Sequence, residues 1–291
     1  MPEGPEVETI RRGLELGIVG QEVAGVEVLN ARTWQGSAGL RERVVVGARV
    51  LHVRRYSKVL VWELSSEYAL MFHLKMTGQL VLVKADGERF AGGHPNGSMA
   101  AALPDRSTRV CFAFASGDQL FFNDQRKFGW IKLVPTVEVA ADPLVSRLGT
   151  EVLSAGFNAT YLGTQLQRHA RASVKAVILD QTVLAGVGNI YVDESLHLAR
   201  IHPARRAGSL SAAEVKRLLS AVREVMAMGI EHGGTSFAHY VNSLGGRGDY
   251  LQHARVFRRE GQPCPVHPGV LIEKIRVAGR GTHLCPRCQK L

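Results

Sequence analysis

The C-terminal end of the chain contains cysteine and histidine side chains with the spacing of a metal site. Cys264 and His267 are separated by two residues, and Cys285 and Cys288 repeat that spacing after a short gap. Two such pairs can surround one tetrahedral Zn²⁺, and four protein ligands leave no open coordination position. The pattern therefore predicts one structural zinc ion. His283 is a competing donor, and the alternative is a set of reduced surface thiols beside an incidental histidine.

The N-terminal end offers a different chemistry, that of an amine nucleophile. Pro2 follows Met1, and a small second residue normally permits removal of the methionine, which would leave a secondary amine. An α-amino group has a pKa of about 7.7–8.0, so part of it is neutral at physiological pH. On an aldehyde carbon a secondary amine forms an iminium that draws electrons and promotes elimination. Glu3 and Glu6 could act beside it as acid and positioning group, although proline here is more often a helix starter.

The net charge predicts a polyanionic partner. The 291-residue chain has 36 Lys and Arg against 26 Asp and Glu, a formal net charge of +10. Residues 252–291 include eight basic and two acidic residues, so much of the excess positive charge lies near the predicted zinc site. Nucleic acid is the commonest partner of such a chain, ahead of acidic membranes, and a merely solvated basic surface is the alternative. We expect Arg280, just before the second cysteine pair, to contact a phosphate.

Composition excludes several classes of protein. With 45% hydrophobic and 21% charged residues, the chain can bury a sizeable core, which argues against wholesale disorder and against collagen-like or coiled-coil architectures. The sequence lacks an apolar run long enough to cross a membrane and lacks the basic start and apolar stretch of a signal peptide. We therefore expect a cytoplasmic protein. Four cysteines, three of them clustered, suit a metal site better than disulfides.

Elements must position these groups, and the period of the apolar residues changes along the chain. Residues 4–16 predict a helix, and from about 20 to 134 short β-branched or aromatic runs predict an all-β sandwich or barrel. The predicted strands are 44–46, 50–53, 59–64, 70–74, 80–83, 110–114, 120–122 and 131–134, and 84–108 is predicted as a long loop.

The second half is helical in pattern. Helices are predicted around 162–169, 174–178 and 190–198, and the clearest one starts at a capping box of Ser211 and Glu214 and ends near Gly233. Alternation over 270–277 predicts a β-hairpin between the two metal-ligating pairs. The fold class is therefore multidomain α+β. The predicted parts are a β-sandwich domain with an N-terminal helix (1–135), a linker (136–150), a helical domain (151–250) and a zinc hairpin (251–291).

Three separated motifs together resemble one family. They are Pro-Glu-Gly-Pro-Glu-Val-Glu-Thr at 2–9, Leu-Ala-Gly-Val-Gly-Asn-Ile-Tyr at 184–191 and Cys-Pro-Arg-Cys-Gln at 285–289. In this order they are similar to the bacterial formamidopyrimidine-DNA glycosylases, from Pro2 to Lys290. The resemblance implies a base-excision-repair enzyme that removes oxidised purines, such as 8-oxoguanine and formamidopyrimidines, from duplex DNA. It also implies cleavage of the abasic site by β,δ-elimination.

The resemblance implies roles for residues of the first domain. Pro2 corresponds to the Schiff-base nucleophile and Glu3 to the acid that helps open the sugar ring, while Glu6 is a further active-site candidate. Lys58, on a predicted hairpin, corresponds to the catalytic lysine that bridges a phosphate and donates a proton.

Base removal also requires the nucleotide to leave the stack, and the void must be filled. Met76, Arg126 and Phe128 correspond to the residues that fill it: an apolar wedge and an aromatic plane can stack on neighbouring bases, and a guanidinium can bind the orphaned cytosine. Otherwise Met76 and Phe128 would be ordinary core residues.

The stretch 180–196 resembles a helix-two-turns-helix element. Its glycines permit sharp turns, and backbone amides at the start of the new helix point at an anion. The DNA contacts implied here and in the zinc hairpin are those of Lys175, Asn189, Tyr191 and Arg280.

The glycine-rich segment 233–250 resembles a lesion-recognition loop, with Ala238, His239 and Tyr240 placed there by position; an unstructured linker is the alternative.

Two other functions stay open. One is an endonuclease VIII-like glycosylase for oxidised pyrimidines, which shares Gly4 where leucine is commoner; Arg126 and Phe128 argue against it. The other is a non-catalytic zinc-containing DNA-binding protein, against which Pro2 and Lys58 argue. His267 also stands where the family usually has cysteine, which alters the ligand geometry but not the prediction of zinc. The expected partner is damaged double-stranded DNA, bound by a monomer away from membranes.

Overall fold

The computed structural model describes residues 2–94, 99–235 and 248–291. The chain forms two compact units, one of Met1–Ser146 with His232–Asp249 and the other of Arg147–Glu231 with Tyr250–Leu291. The four-part division predicted from the sequence stays a prediction. Among the described residues, none of the helices is both long and apolar enough to cross a membrane.

The first unit begins with helix α1 (Gly4–Ile18), which confirms the predicted N-terminal helix. Pro5 lies in its first turn, where a missing N–H costs nothing. Val7, Ile10 and Leu14 recur at helical spacing and are almost completely buried in the core of this unit.

Two five-stranded sheets form the rest of this core. In chain order the strands are β1 (Val23–Val28), β2 (Trp34–Gln35), β3 (Val50–Tyr56), β4 (Val59–Leu64), β5 (Tyr68–His73), β6 (Gly78–Val83), β7 (Arg89–Gly93), β8 (Thr108–Phe114), β9 (Gln119–Asp124) and β10 (Trp130–Pro135). One sheet has the order β1-β8-β9-β6-β7 and the other β2-β10-β5-β4-β3. All neighbours are antiparallel except β2 and β10. Trp62 and Phe72 of one sheet pack with Phe112 of the other, which confirms the sandwich.

Two local predictions for this unit were wrong, and one strand was missed. The run 44–46 is not a strand: helix α2 (Ala38–Val44) ends there, and Val45 is buried in the core of the sandwich without strand pairing. Strand β1 was not predicted, and β7 lies inside the predicted loop 84–108. The sequence of β7 is poor in β-formers, so its pairing with β6 determines its conformation. Gly93 is required there, because a Cβ would lie 2.3 Å from the Gly78 carbonyl oxygen.

The second unit is built from helices. They are α3 (Ala159–Arg168), α4 (Val174–Leu179), α5 (Asn189–Leu198), α6 (Ala212–Glu231) and α7 (Tyr250–His253), with β11 (Thr150–Glu151) paired to β12 (Leu184–Ala185). The predicted capping box is confirmed, because Ser211 N–H donates to Glu214 Oε2 at 2.8 Å and Glu214 N–H donates to Ser211 Oγ at 3.3 Å. Gly233 follows the helix with φ of +65°, as a helix stop requires.

The C-terminal hairpin has the predicted form. Strands β13 (Glu273–Val277) and β14 (Arg280–Leu284) are antiparallel and are joined by Ala278 and Gly279, both at positive φ. This turn places Arg280 at the start of β14.

Candidate active site

Helix α1 brings the predicted N-terminal residues together. Pro2, Glu3 and Glu6 are all buried. Glu3 is the N-cap residue, and its N–H donates to Glu6 Oε2 at 2.9 Å. The Glu6 carboxylate therefore fixes the backbone that leads to Pro2, and it also lies at the positive end of the helix dipole.

The second oxygen of Glu6 binds another segment of the chain. Glu6 Oε1 accepts hydrogen bonds from the N–H and the hydroxyl of Thr235, at 2.8 and 3.0 Å. Gly234, at φ of +78°, allows this approach, since a Cβ there would lie 2.8 Å from Glu6 Oε1. Glu6 thus joins the start of α1 to Thr235, which lies within the segment 233–250 that is predicted to be the lesion-recognition loop. Ala238, His239 and Tyr240 lie outside the described residues.

Lys58 lies in the tight turn between β3 and β4 and is buried. Ser57, at φ of +57°, forms this turn, and its carbonyl accepts a hydrogen bond of 2.9 Å from Arg55 Nη1. Arg55 Nε donates to Glu8 Oε2 on α1 at 3.0 Å. Helix α1 therefore carries Pro2 and Glu3 and also holds the turn that presents Lys58.

Glu8 is the centre of this connection and stays ionised. Burial raises its pKa, but hydrogen bonds from Arg11, Arg55 and Arg12 outweigh burial and hold the pKa below its ordinary value. The arginine nitrogens lie 2.9–3.2 Å from its carboxylate oxygens. Sequence reasoning missed this network; a glutamate four residues before an arginine was the available signal, and it reveals only the local pair.

His73 contributes a neutral ring beside Lys58. Val59 pairs with His73 across β4 and β5, so the lysine turn lies next to the imidazole. Burial, together with the charges of Lys75 and Lys58, lowers the pKa of His73 to about 3. The positive charges that suppress its protonation also make this region suitable for a phosphate.

Two further turns carry the predicted void-filling residues. Met76 lies between β5 and β6 and is 41% exposed, and Phe128 lies between β9 and β10 and is 55% exposed. Arg126 is in the same turn as Phe128, with its guanidinium carbon 4.8 Å from the centre of that ring. These side chains are therefore not core residues, and they form an exposed apolar and cationic surface.

The helix-two-turns-helix element is formed by α4, the turns around β12, and α5. Gly186 has φ of +90°, and α5 starts at Asn189. Asn189 Nδ2 donates to the Gly281 carbonyl at 3.0 Å, which brings the start of α5 to strand β14. Arg280 precedes Gly281 and is exposed. The structure thus brings together Asn189 and Arg280, two of the residues predicted to contact phosphates.

Lys175 and Tyr191 are placed differently, since both are fully buried. Lys175 Nζ lies 2.6 Å from Asp193 Oδ1 and 2.7 Å from Thr282 Oγ1. The Tyr191 ring packs against Tyr250, with centroids 5.0 Å apart. Both side chains support the surface that carries Asn189 and Arg280, and direct DNA contacts by them stay predictions.

The four predicted metal ligands form a cluster. The ligand atoms of Cys264, His267, Cys285 and Cys288 all lie within 4.8 Å of one another. The sulfurs of Cys264 and Cys288 are 3.7 Å apart, close to the edge of about 3.8 Å that a tetrahedral site with Zn–S bonds of about 2.3 Å requires. The donor set and its geometry fit one structural zinc ion. His283, the competing donor, instead contacts Asp193 and Glu260.

Helix α5 supplies a neighbour to this cluster that the sequence did not indicate. His197 Nε2 lies 3.7 Å from Cys264 Sγ. Burial, aided by nearby cationic side chains, lowers the pKa of His197 to about 4. A neutral imidazole next to a thiolate can donate one N–H to it, as groups around metal ligands commonly do. Gln289 adds a second connection, since it accepts from Cys285 N–H and donates to the Ile201 carbonyl, both at 3.0 Å.

Three models of known protein families match successive parts of this chain. The formamidopyrimidine-DNA glycosylase N-terminal domain matches residues 1–131, the H2TH domain of the same proteins matches 148–240, and the zinc finger found in FPG and IleRS matches 261–291. Proteins named formamidopyrimidine-DNA glycosylase from Pelotomaculum thermopropionicum and Cereibacter sphaeroides are each 41% identical over 294 residues, with complete coverage of both chains.

Solved structures agree. A complex between the Lactococcus lactis Fpg and an abasic site containing DNA has a TM-score of 0.87 and 32% identity, covering 99% of this chain and 100% of the other. A complex of the wild-type protein from the same organism with an N7-benzyl-Fapy-dG containing DNA has the same TM-score and identity and covers 100% of both chains. This chain therefore belongs to the formamidopyrimidine-DNA glycosylase family.

Proposed function

We propose that this chain is a DNA glycosylase and abasic-site lyase that excises oxidised purines, such as 8-oxoguanine and formamidopyrimidines, from duplex DNA. The observation that carries the proposal is the construction around α1. One helix presents Pro2 and Glu3 at its start and, through Glu8 and Arg55, holds the turn of Lys58. The nucleophile, the acid and the lysine are thereby fixed to one rigid element, as catalysis by positioning requires.

In this proposal the free amine of Pro2 attacks the anomeric carbon of a flipped nucleotide, and the bond from that carbon to the base breaks. Glu3 donates a proton to the ring oxygen as the sugar opens. The resulting iminium withdraws electrons, so loss of the neighbouring C2′ proton expels the 3′ phosphate by β-elimination, and loss of the C4′ proton then expels the 5′ phosphate by δ-elimination. Lys58 binds a neighbouring phosphate and donates the proton that the departing base takes up.

We assign the remaining predicted residues to binding. Asn189 and Arg280 hold phosphates beside the lesion, with Lys175 and Tyr191 beneath them in the same unit. Met76, Arg126 and Phe128 fill the void left by the base. The loop containing Ala238, His239 and Tyr240 grips the extruded base.

We also propose that the protein acts as a monomer on chromosomal DNA, in the cytoplasm and associated with the nucleoid. One duplex and one set of catalytic residues suit a monomer, and the exposed Arg280 suits DNA of any sequence. Sedimentation of the protein with and without a lesion duplex tests this: one chain per duplex supports it, and two chains per duplex would contradict it.

Excision assays with matched lesions test the proposed reaction. Wild-type protein should release 8-oxoguanine opposite cytosine faster than thymine glycol from an otherwise identical duplex. Lys58→Ala should slow release of the purine by about 100-fold, within the range for loss of a general acid. Preference for thymine glycol would move the protein to the pyrimidine-specific branch, and binding without release of either base would leave only a DNA-binding role.

A further inference from the structure

The two turns that carry the void-filling residues meet at one buried carboxylate. Asp124 is the last residue of β9 and is 1% exposed. It pairs with Gly78, the first residue of β6. The end of one strand therefore lies directly beside the start of the other, with the Met76 turn on one side and the Arg126 turn on the other.

Both oxygens of Asp124 bind these turns. Oδ1 accepts hydrogen bonds from the Thr77 hydroxyl and, at 3.1 Å, from Arg126 N–H. Oδ2 accepts from Gly129 N–H at 2.7 Å. Thr77 Oγ1 also accepts from Arg126 N–H at 3.1 Å, so the two turns are connected to each other as well as to the carboxylate.

Neighbouring residues hold Asp124 in place and let the Phe128 turn pack against its carboxylate. The Asp124 carbonyl accepts a hydrogen bond of 2.8 Å from Arg109 Nε, which is also buried. A Cβ at position 129 would lie 2.7 Å from the Phe122 ring and 3.1 Å from Asp124 Oδ2. Only glycine therefore lets the Phe128 turn close on the carboxylate.

We propose, on the basis of the function proposed above, that Asp124 and Thr77 are positioning residues for void filling. They hold Met76 on one turn and Arg126 with Phe128 on the other at a fixed separation, so that all three enter the duplex as one preformed unit. Neither positioning residue touches DNA. Their effect should be confined to steps that need insertion into a base stack, because the side-chain hydrogen bonds of Asp124 and Thr77 described above go to the two turns and not to α1 or to the turn of Lys58.

The test compares a step that needs insertion with one that does not. Asp124→Asn replaces one acceptor oxygen with a donor, and Thr77→Val removes the hydroxyl without changing the size of the side chain. Both should slow single-turnover excision of 8-oxoguanine from duplex DNA by about 10- to 100-fold, because a small displacement of groups that position the substrate has an effect of this size. Elimination at an abasic site in single-stranded DNA, where no void needs filling, should stay within about twofold of wild type.

Two controls separate positioning from general stability. Thr77→Ser keeps the hydroxyl and should restore duplex excision. Asp118→Asn changes another carboxylate of the same sheet, which accepts hydrogen bonds of 2.9 Å from Ala85 N–H and Lys84 Nζ but contacts neither turn. It should lower the melting temperature without changing excision.

A fluorescent readout reports insertion itself. With 2-aminopurine beside the lesion, wild-type protein and Thr77→Ser should give a rapid rise in fluorescence as the neighbouring base unstacks, and Thr77→Val should slow that rise.

Wild-type excision by Asp124→Asn and Thr77→Val would overturn the inference, as would an equal loss on single-stranded abasic DNA. If Asp124→Asn does not fold, Thr77→Val alone decides. A wild-type protein that does not excise 8-oxoguanine would instead overturn the proposed function, and the inference with it.

Discussion

The two units hold their functional surfaces with buried carboxylates of contrasting kinds. In the first unit, Glu8 is surrounded by arginines, which keep its pKa below the ordinary value despite burial. In the second, Glu194 is fully buried and accepts three backbone N–H groups, from Arg255, Val256 and Phe257, at 2.7–2.8 Å, yet burial raises its pKa. Beside it on α5, Asp193 binds Lys175 and His283 N–H. Charges compensate Glu8, whereas dipoles and one buried cation compensate the pair on α5.

This contrast has consequences for mutation. A partly solvated ion pair can be replaced by water at small cost, whereas a fully buried charge that loses its partner cannot. Substitution of these buried carboxylates should therefore change mainly the stability in the second unit and mainly the catalytic rate in the first. Four experiments test this difference, in order of decreasing effect.

Loss of a zinc ligand should have the largest effect. Cys285→Ser should reduce bound zinc far below one ion per chain and weaken binding to an abasic duplex by at least about 100-fold, because metal binding and folding of such a hairpin are coupled. Metal analysis and DNA titration measure both. Cys111→Ser is the matched control: burial raises the pKa of that thiol to about 11, it lies in the other unit, and zinc should be unchanged. Full zinc occupancy in Cys285→Ser would contradict the assigned ligands.

Breaking the buried ion pair of the second unit comes next. Asp193→Asn leaves Lys175 without its carboxylate and should lower the free energy of unfolding by about 3 kcal/mol. The double variant Asp193→Asn, Lys175→Met should recover much of that loss, because the unpaired charge is gone. Urea denaturation measures both, with Asp180→Asn, a half-buried carboxylate that accepts from Thr182, as control. If the two substitutions lower the free energy of unfolding additively in the double variant, the unpaired charge of Lys175 is not the cause of the loss of stability.

Glu8→Gln should lower the free energy of unfolding by only about 1 kcal/mol, less than Asp193→Asn does, but it should have the larger effect on the rate of base excision. Since the folded-state pKa of Glu8 is lowered from 4.5, its stabilisation is fully present above pH 4.5 and is lost as the pH falls through the folded pKa. The difference in melting temperature between wild type and Glu8→Gln should thus be constant at neutral pH and shrink in acid. Excision should slow about tenfold as the Lys58 turn loosens. A stability difference that grows in acid would contradict the charge assignment.

Arg280→Gln should give the smallest change. Loss of one phosphate contact should weaken binding several-fold on every sequence and reduce the slope of log K against log salt concentration by about one. Arg32→Gln, an exposed arginine of the first unit, serves as control and should leave the slope unchanged. A slope unaffected by Arg280→Gln would remove this residue from the phosphate contacts.

Local signals predicted much of the fold. The capping box at Ser211, the helix stop at Gly233, the hairpin between the cysteine pairs and most sandwich strands depend on residues close in sequence. The failures have the same origin. The valines at 44–46 read as a strand in isolation, and β7 has a weak intrinsic preference that pairing with β6 overrides.

For a related reason, the sequence predicted some residues of the candidate site and not others. Metal ligands and the helix start at Asn189 carry motifs, whereas the residues that position them do not. Arg55 reaches Glu8 across 47 positions of sequence, and Lys175 reaches Thr282 across 107. Asp124 binds Thr77 because strand register places β9 beside β6. Such pairs follow from tertiary packing, which a single sequence does not reveal.

The central claim, that the amine of Pro2 is the nucleophile, is tested most directly by trapping the covalent intermediate. Wild-type protein incubated with an 8-oxoguanine duplex and borohydride should form one reduced adduct, and peptide mass mapping should place it on the nitrogen of Pro2 at a chain start that lacks Met1. Pro2→Gly, which replaces the secondary amine with a primary one, should yield much less adduct. An adduct on a lysine side chain, or an undiminished adduct on a chain that retains Met1, would contradict the mechanism.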